Sequence, residues 1–453
     1  MPTTPRSRSH RRARSGPRIQ GTSALEIASS VEAAIREARL RPGDDLPTVR
    51  SLAAELAVSP TTVAAAFKEL RARGLVTTQG RRGTQVCPRP PIYTGAEAPL
   101  PPGVRNLADG NPDPARLPAL GPALARIDTS RVLYGDALID PELGRRSLER
   151  FRSDGIPAER VSVVSGALDG LERVLQARLR PGDRVAVEDP AFVGVRDLLA
   201  ALGLAAVPVA IDDDGPRPAS LARALERGVD ALIVTPRAQN PFGSALTRER
   251  ADALATLLDA HPDVLVCEDD HAGVVAGAPV QTLVREGVRH PWAVVRSFSK
   301  SLGPDLRVAI VAADGETMAR VEGRQRLGIR WVSHVLQRVV LALWTDRGVQ
   351  AGLRATARTY TARREALLRA LAEHGLEAHG RSGLCVWIPV AEEVRPLQAL
   401  LEAGWALSAG ERFRLESAPG IRVCIATLEE DEAPRLARDI ARTLEPTGRS
   451  AAT

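Results

Sequence analysis

Lysine is scarce in this chain. Of 61 lysines and arginines only Lys68 and Lys300 are lysines. Arginine stays protonated in proteins, whereas a desolvated lysine can lose its proton and attack a carbonyl to form a Schiff base. Lys300 stands in Ser297-Phe298-Ser299-Lys300, behind two hydroxyls and at the end of an apolar run over residues 293–297. A sequence that writes its cations as arginine and keeps a lysine there points to an amine nucleophile.

Pyridoxal phosphate (PLP) uses such a lysine together with a carboxylate, a ring-oxygen donor, an aromatic face and a phosphate cup. Candidates occur in one consistent chain order. Ser165-Gly166-Ala167-Leu168 turns a strand into a helix, where the backbone N–H groups of Ala167 and Leu168 and the helix dipole favour phosphate. Phe192 follows Glu188-Asp189-Pro190-Ala191 and offers a ring just past a strand end. Asn240, in Gln239-Asn240-Pro241-Phe242-Gly243, offers an amide donor to the cofactor's phenolate oxygen. Asp269, in Glu268-Asp269-Asp270-His271, would pair with the pyridinium nitrogen if buried. Arg307 offers a two-pronged grip on phosphate, and Ser297 and Ser299 add hydroxyl donors.

Positioning these residues requires strands that all end on one side. Apolar strand candidates at 161–165, 184–188, 231–235, 264–267, 293–297 and 308–312 alternate with helical stretches. This predicts an α/β domain on a mostly parallel sheet over residues 105–445. Helical patterns run from about 318 to 372. A smaller α+β part spans about 345–445, and residues 446–453 form a tail.

The front of the chain has a different character. Residues 1–90 carry 16 Lys and Arg against 7 Asp and Glu, while the remainder is slightly acidic. That split suggests a nucleic-acid module joined to another domain. Residues 1–22 read as a basic disordered tail. Within 23–87, helical periodicity covers 24–38 with Leu25, Ala28, Val31 and Ile35 inward. Pro47 opens a second helix, and Ser59 caps a third running from Pro60 to about Arg73. Two short strands then flank a turn at 79–82, giving a winged helix-turn-helix. Ser59, Thr61 and Thr62 at the start of the third helix are candidates for base and phosphate contact. Arg50, Lys68 and the wing residues Arg81 and Arg82 are the candidate cations. Residues 88–104 are a proline-rich linker.

The run Leu46-Pro47-Thr48-Val49-Arg50-Ser51-Leu52-Ala53, with Val58-Ser59-Pro60-Thr61-Thr62-Val63, resembles the GntR winged-helix family. That family often has arginine where this chain has Pro60. "QNPFG" and "SFSKSLGPDLR" resemble the asparagine turn and the lysine–arginine block of fold type I aminotransferases. By that similarity Tyr134 would reach the phosphate of a neighbouring subunit and Arg422 would hold a substrate carboxylate. His271 stands where the family usually has a tyrosine near the ring oxygen. The order of the two modules resembles the MocR-type regulators of the GntR family.

This resemblance implies a PLP-dependent, DNA-binding transcription regulator that senses a small amine or amino acid, or PLP itself, through an aldimine at Lys300. It also implies a head-to-tail homodimer on double-stranded operator DNA. The alternative is an active aminotransferase carrying a DNA-binding domain. The sequence shows no membrane span, no secretory signal and no metal-ligand spacing; Cys87, Cys267, Cys385 and Cys424 read as reduced thiols of a cytoplasmic protein.

Overall fold

The computed structural model describes residues 19–36, 39–41, 43–72, 75–78, 83–86 and 100–444. Arg73, the 79–82 turn with Arg81 and Arg82, most of the linker and both outer tails lie outside them. The chain divides into two compact units, residues 1–94 and 95–453.

In the first unit, α1 (Ala24–Arg36), α2 (Val49–Leu56) and α3 (Pro60–Ala72) precede an antiparallel pair, β1 (Val76–Thr78) and β2 (Thr84–Val86). Ile27, Ala28, Val31, Leu52, Val63, Phe67, Leu70, Val76 and Val86 form their common core. Three expectations shift. Leu25 is 64% exposed, and Ile27 takes the inward place on α1. Pro47 does not open α2; Thr48 caps it, accepting a hydrogen bond from the Ser51 N–H at 3.2 Å, and the helix starts at Val49. Ile19, expected in a disordered tail, is buried, and Glu26 accepts from the Thr22 N–H at 2.8 Å.

Ser59 does cap α3, its Oγ accepting from the Thr62 N–H at 3.1 Å. Thr61, Ala64, Ala65 and Lys68 share the exposed side of that helix. Two alanines between a threonine and a lysine leave this face shallow enough for close approach to a groove.

The second unit is built on an eight-stranded sheet: β4 (Val161–Val164), β5 (Arg184–Asp189), β6 (Ala205–Asp212), β7 (Gly215–Pro216), β8 (Ala231–Val234), β9 (Leu265–Asp270), β10 (Trp292–Ser297) and β11 (Ala309–Ala313). They lie in the order β4-β11-β10-β9-β8-β5-β6-β7. The five strands β10, β9, β8, β5 and β6 run parallel, and β11 runs antiparallel to both its neighbours. Buried Val, Ile and Leu side chains cover both faces, as a sheet sandwiched by crossover helices requires. The fold is therefore α/β with the expected mostly parallel sheet. The edge strand β7 and its neighbour β6 had no counterpart in the sequence reading: β7 is two residues long, and Pro208 interrupts the apolar alternation of β6.

A smaller antiparallel sheet, β12 (Cys385–Pro389), β15 (Gly420–Cys424) and β14 (Ser408–Ala409), packs with the helices Arg347–Glu373, Val394–Glu402 and Ala433–Leu444. The segment β3 (Arg105–Asn106) pairs in parallel with β13 (Trp405–Ala406), tying the start of this unit to its C-terminal part. No described helix is long and apolar enough to cross a membrane.

Candidate cofactor site

The C-terminal ends of the central strands open into a cavity of about 360 Å³. Ala167, Leu168, Phe192, Asn240, Asp269, His271, Ser297, Ser299, Lys300, Arg307 and Arg422 all line it. Brought together from more than 250 positions of sequence, they occupy the region where parallel α/β sheets bind ligands.

Lys300 is largely desolvated, and burial lowers its pKa. Its Nζ donates to the Gly110 carbonyl at 2.6 Å. On neighbouring β9, burial pushes the Asp269 carboxyl up to about 7, with the Asp270 charge adding and Lys300 opposing. Asp269 Oδ1 is buried without a hydrogen-bond partner. Next to it Asp270 behaves differently. Burial opposes its ionisation, but the Arg237 fork at 2.9 and 2.8 Å and Arg296 at 3.0 Å hold it below the usual carboxylate range. Burial, then Lys300, lowers the His271 pKa to about 4, so its imidazole is neutral at physiological pH.

Gly166 (φ 98°) precedes the helix Ala167–Arg178, whose first residues line the cavity and whose N-terminus carries no side-chain cap. A Cβ on Gly166 would sit 2.3 Å from Arg307 Nη2, so only glycine lets the guanidinium approach this turn. Arg307 itself holds a left-handed backbone (φ 47°) and donates to the Ser165 carbonyl at 2.9 Å. The arrangement is a cradle of backbone donors, dipole and guanidinium for a dianion. Ser297 Oγ contacts Ser299 Oγ at 3.1 Å beside it.

Asn240 Oδ1 accepts from Arg422 Nη1 at 3.2 Å, leaving Nδ2 as the donor end. Arg422 Nη2 also reaches Ser408 Oγ and the Ala108 carbonyl, and the buried Nε has no partner. Tyr134 is not part of this cavity: it is 79% exposed, with Trp331 at 5.5 Å and Arg330 at 5.0 Å. Arg50, Ser59, Thr61 and Lys68 are exposed and Thr62 is half-buried in the first unit, where Ser59 Oγ lies 2.6 Å from Thr61 Oγ1 and 2.8 Å from Thr62 Oγ1. Among the described residues no cluster of His, Cys, Asp or Glu could hold a metal.

Sequence reasoning missed the brace behind the site. Glu188, pushed up to about 8 by burial, accepts from the Thr235 N–H at 3.1 Å and from Gln239 Nε2 at 3.2 Å. The same Gln239 amide donates to the Pro190 carbonyl at 2.8 Å and accepts from the Phe242 N–H at 2.8 Å. One buried side chain thus joins the turn before Phe192 to the turn holding Asn240. Also unforeseen were Arg412 and Phe413, which line the cavity from a loop that Asp189 clamps through Leu415, Glu416 and Ser417. The quoted "EDP" and "QNPFG" strings contained Glu188, Asp189 and Gln239, but nothing local marks a tertiary partner.

Two family models match the chain: bacterial regulatory proteins of the gntR family over residues 23–86, and aminotransferase class I and II over residues 102–440. The vitamin B6 salvage pathway transcriptional repressor PtsJ of Salmonella typhimurium is 42% identical over 431 residues, covering 94% of this chain and 99% of that protein. The chain belongs to the MocR-type regulators of the GntR family. A second member, the pyridoxine biosynthesis transcriptional regulator PdxR of Corynebacterium glutamicum, is 30% identical over 54% of this chain and 55% of its own length. The Pyrococcus horikoshii kynurenine aminotransferase shares the fold of the second unit, with a TM-score of 0.68 at 22% identity over 76% of this chain and 91% of that chain. This MocR-type protein therefore carries a PLP-dependent fold, and its residues fit the cofactor. The orphaned Asp269 oxygen suits a ring N–H, the cradle at Gly166 and Arg307 suits a phosphate, and Lys300 is a desolvated amine.

Proposed function

We propose that this MocR-type regulator binds operator DNA through residues 23–87 and reports vitamin B6 status through PLP held in residues 105–445, the segment 88–104 joining the two. The observation that carries the reading is Asp269: a buried carboxylate with an unmet acceptor, in one cavity with Lys300, within a chain that also holds a winged helix. The vitamin B6 names of PtsJ and PdxR support it.

In this assignment Lys300 Nζ is the attachment point and Asp269 holds a proton on the ring nitrogen. Asn240 Nδ2 and His271 face the ring oxygen, and Phe192 stacks on the ring. The Ala167 and Leu168 N–H groups, Ser297, Ser299 and Arg307 hold the phosphate. Bound at Lys300, PLP supplies an electrophilic carbon to which primary amines add. The neutral His271 supplies one N–H donor without adding charge. Tyr134, exposed in the single protomer, would reach the phosphate of the other subunit in a head-to-tail homodimer. Ser59, Thr61, Thr62, Lys68, Arg50, Arg81 and Arg82 would face the DNA, and such a regulator would work in the cytoplasm.

A second reading rests on Arg422, a guanidinium lining the same cavity, which suits the carboxylate of an amino-acid effector. DNA selected by the protein from a random pool separates the two. A change in DNA affinity on adding PLP alone supports the first. A change only when amino acid is added to the PLP-loaded protein supports the second. No change in either case removes both. Amino acid converted to keto acid in that last case would make the body an aminotransferase.

The DNA face makes its own prediction. Arg50→Ala weakens binding across all DNA sequences, and the slope of log affinity against log salt becomes shallower by about 0.9, the effect of one phosphate contact. A slope equal to the parent's would place Arg50 away from the backbone.

A further inference from the structure

One short stretch of backbone runs from the linker across the cofactor cavity. Residues 105–113 follow the linker directly, and Ala108, Asp109, Gly110 and Asn111 line the cavity. Both ends of the stretch are anchored to residues outside that lining. At the start, the Arg105 and Leu107 N–H groups donate to the Gly404 and Ala406 carbonyls at 2.8 and 2.9 Å. The Arg105 guanidinium forks onto Glu432 at 2.9 and 2.7 Å and reaches the Thr427 carbonyl at 2.6 Å. At the end, Arg363 Nη1 donates to Asp113 Oδ2 at 3.0 Å, and the Asp113 N–H donates to Tyr360 Oη at 2.9 Å.

The middle of the stretch hangs on the site itself. Asn106 Oδ1 accepts from the Ala108 and Asp109 N–H groups at 3.0 and 3.3 Å and shapes a turn. Beyond that turn, cavity side chains hold the carbonyls. Lys300 Nζ donates to the Gly110 carbonyl at 2.6 Å. Arg422 Nη2 donates to the Ala108 carbonyl, which Ser408 Oγ also meets at 3.0 Å. A Cβ on Gly110 would lie 3.7 Å from Arg422 Nη1 and 4.0 Å from Asn240 Nδ2, so the backbone here packs against the donors of the site. Ala108 lines the cofactor cavity and also, with Leu100 of the linker, a neighbouring groove.

We propose that residues 105–113 read whether Lys300 is free or carries PLP, and pass that state along the chain to the linker. The proposal rests on the regulatory reading above and names the element through which it works. Lys300 has one amine, which cannot serve both partners. Attachment of PLP turns Nζ to the cofactor's carbon, and the half-buried Gly110 loses its donor. A carbonyl stripped of its partner is costly, so the stretch shifts to find another. It thus has two states, donor present and donor withdrawn, and a carboxylate taken up by Arg422 would release the Ala108 carbonyl of the same stretch.

The test follows hydrogen exchange of the full chain, without DNA, at the Arg105 and Leu107 amides. Both donate outside the cavity, so contact with PLP does not shield them. Loading the parent with PLP is expected to speed their exchange roughly tenfold, the local opening that follows loss of one strong hydrogen bond. Lys300→Ala without PLP is expected to match the loaded parent, with no further change when PLP is added. Slower exchange confined to residues 108–111, with Arg105 and Leu107 unchanged, would show that PLP only covers the stretch and overturns the proposal. Arg105→Gln loosens the start of the stretch and leaves the cavity intact. Its PLP affinity should equal the parent's, while its DNA affinity without PLP moves to that of the loaded parent; an affinity equal to the unloaded parent's overturns the transmission. The two failures differ. PLP-insensitive exchange sinks this element alone, whereas altered exchange with unaltered DNA affinity in the parent sinks the regulatory reading and the proposal with it.

Discussion

Replacing Lys300 with alanine abolishes covalent retention of PLP. In the parent, borohydride reduction fixes the cofactor on the peptide containing Lys300; in Lys300→Ala no peptide gains its mass. The reasoning is chemical. Retention needs an unprotonated amine, and burial lowers the Lys300 pKa while the Gly110 carbonyl orients Nζ. The phosphate cradle at Gly166 and Arg307 remains, so the variant still binds PLP reversibly and loses only the bond. The composition makes the assay unusually clean, because the only other lysine in the chain is Lys68, in the winged helix. Cofactor mass on Lys68, or on no lysine of the parent, would contradict the assignment.

The second large effect has opposite signs on stability and binding. Asp269→Asn weakens PLP binding on the order of 100-fold or more, since it removes the charged partner of a buried pair. The same change stabilises the cofactor-free protein at neutral and alkaline pH. Asp269 titrates at 3.8 when unperturbed and about 7 in the fold. Between those values the native state keeps a proton that the unfolded chain has released. Stability of the cofactor-free protein therefore falls as pH rises through this window and stays low above it. Asparagine removes the penalty, by up to roughly 4 kcal/mol at pH 8 from the size of the shift and by nothing near pH 3. Thermal melts of the two cofactor-free proteins across pH check this: the curves should converge in acid and separate above pH 7. A variant that is less stable than the parent at pH 8 would mean that the Asp269 carboxylate is already paired in the cofactor-free fold.

These two residues were visible in the sequence because each stands at a strand end and each is chemically conspicuous there. Lys300 follows β10 and Asp269 lies in the last residues of β9, where backbone direction alone carries side chains to one edge of a parallel sheet. Ser165-Gly166 and Gln239-Asn240-Pro241 were equally legible, as a strand-to-helix turn and as a loop. What holds them was not. Gln239 works through Glu188, 51 positions earlier, and Lys300 rests on Gly110, 190 positions earlier. Such contacts leave no periodicity in the chain. The acidic run at 268–270 hid a division of labour that only burial and the two arginines reveal: Asp270 is neutralised by Arg237 and Arg296, while Asp269 is left with an unmet oxygen. In the winged helix, pattern placed the helices but misjudged details that depend on packing. Ile27 displaced Leu25 from the core, and Thr48 displaced Pro47 at the helix start.

Coupling between the two units is a statement about linked equilibria. If PLP changes affinity for DNA by some factor, DNA changes affinity for PLP by the same factor. The direct measurement is the dissociation constant of a labelled operator fragment with and without PLP, for the parent and for Lys300→Ala. The account predicts at least a tenfold change in the parent, equivalent to about 1.4 kcal/mol of coupling, and little or none in the variant. Identical constants with and without PLP in the parent, at saturating cofactor, would contradict it.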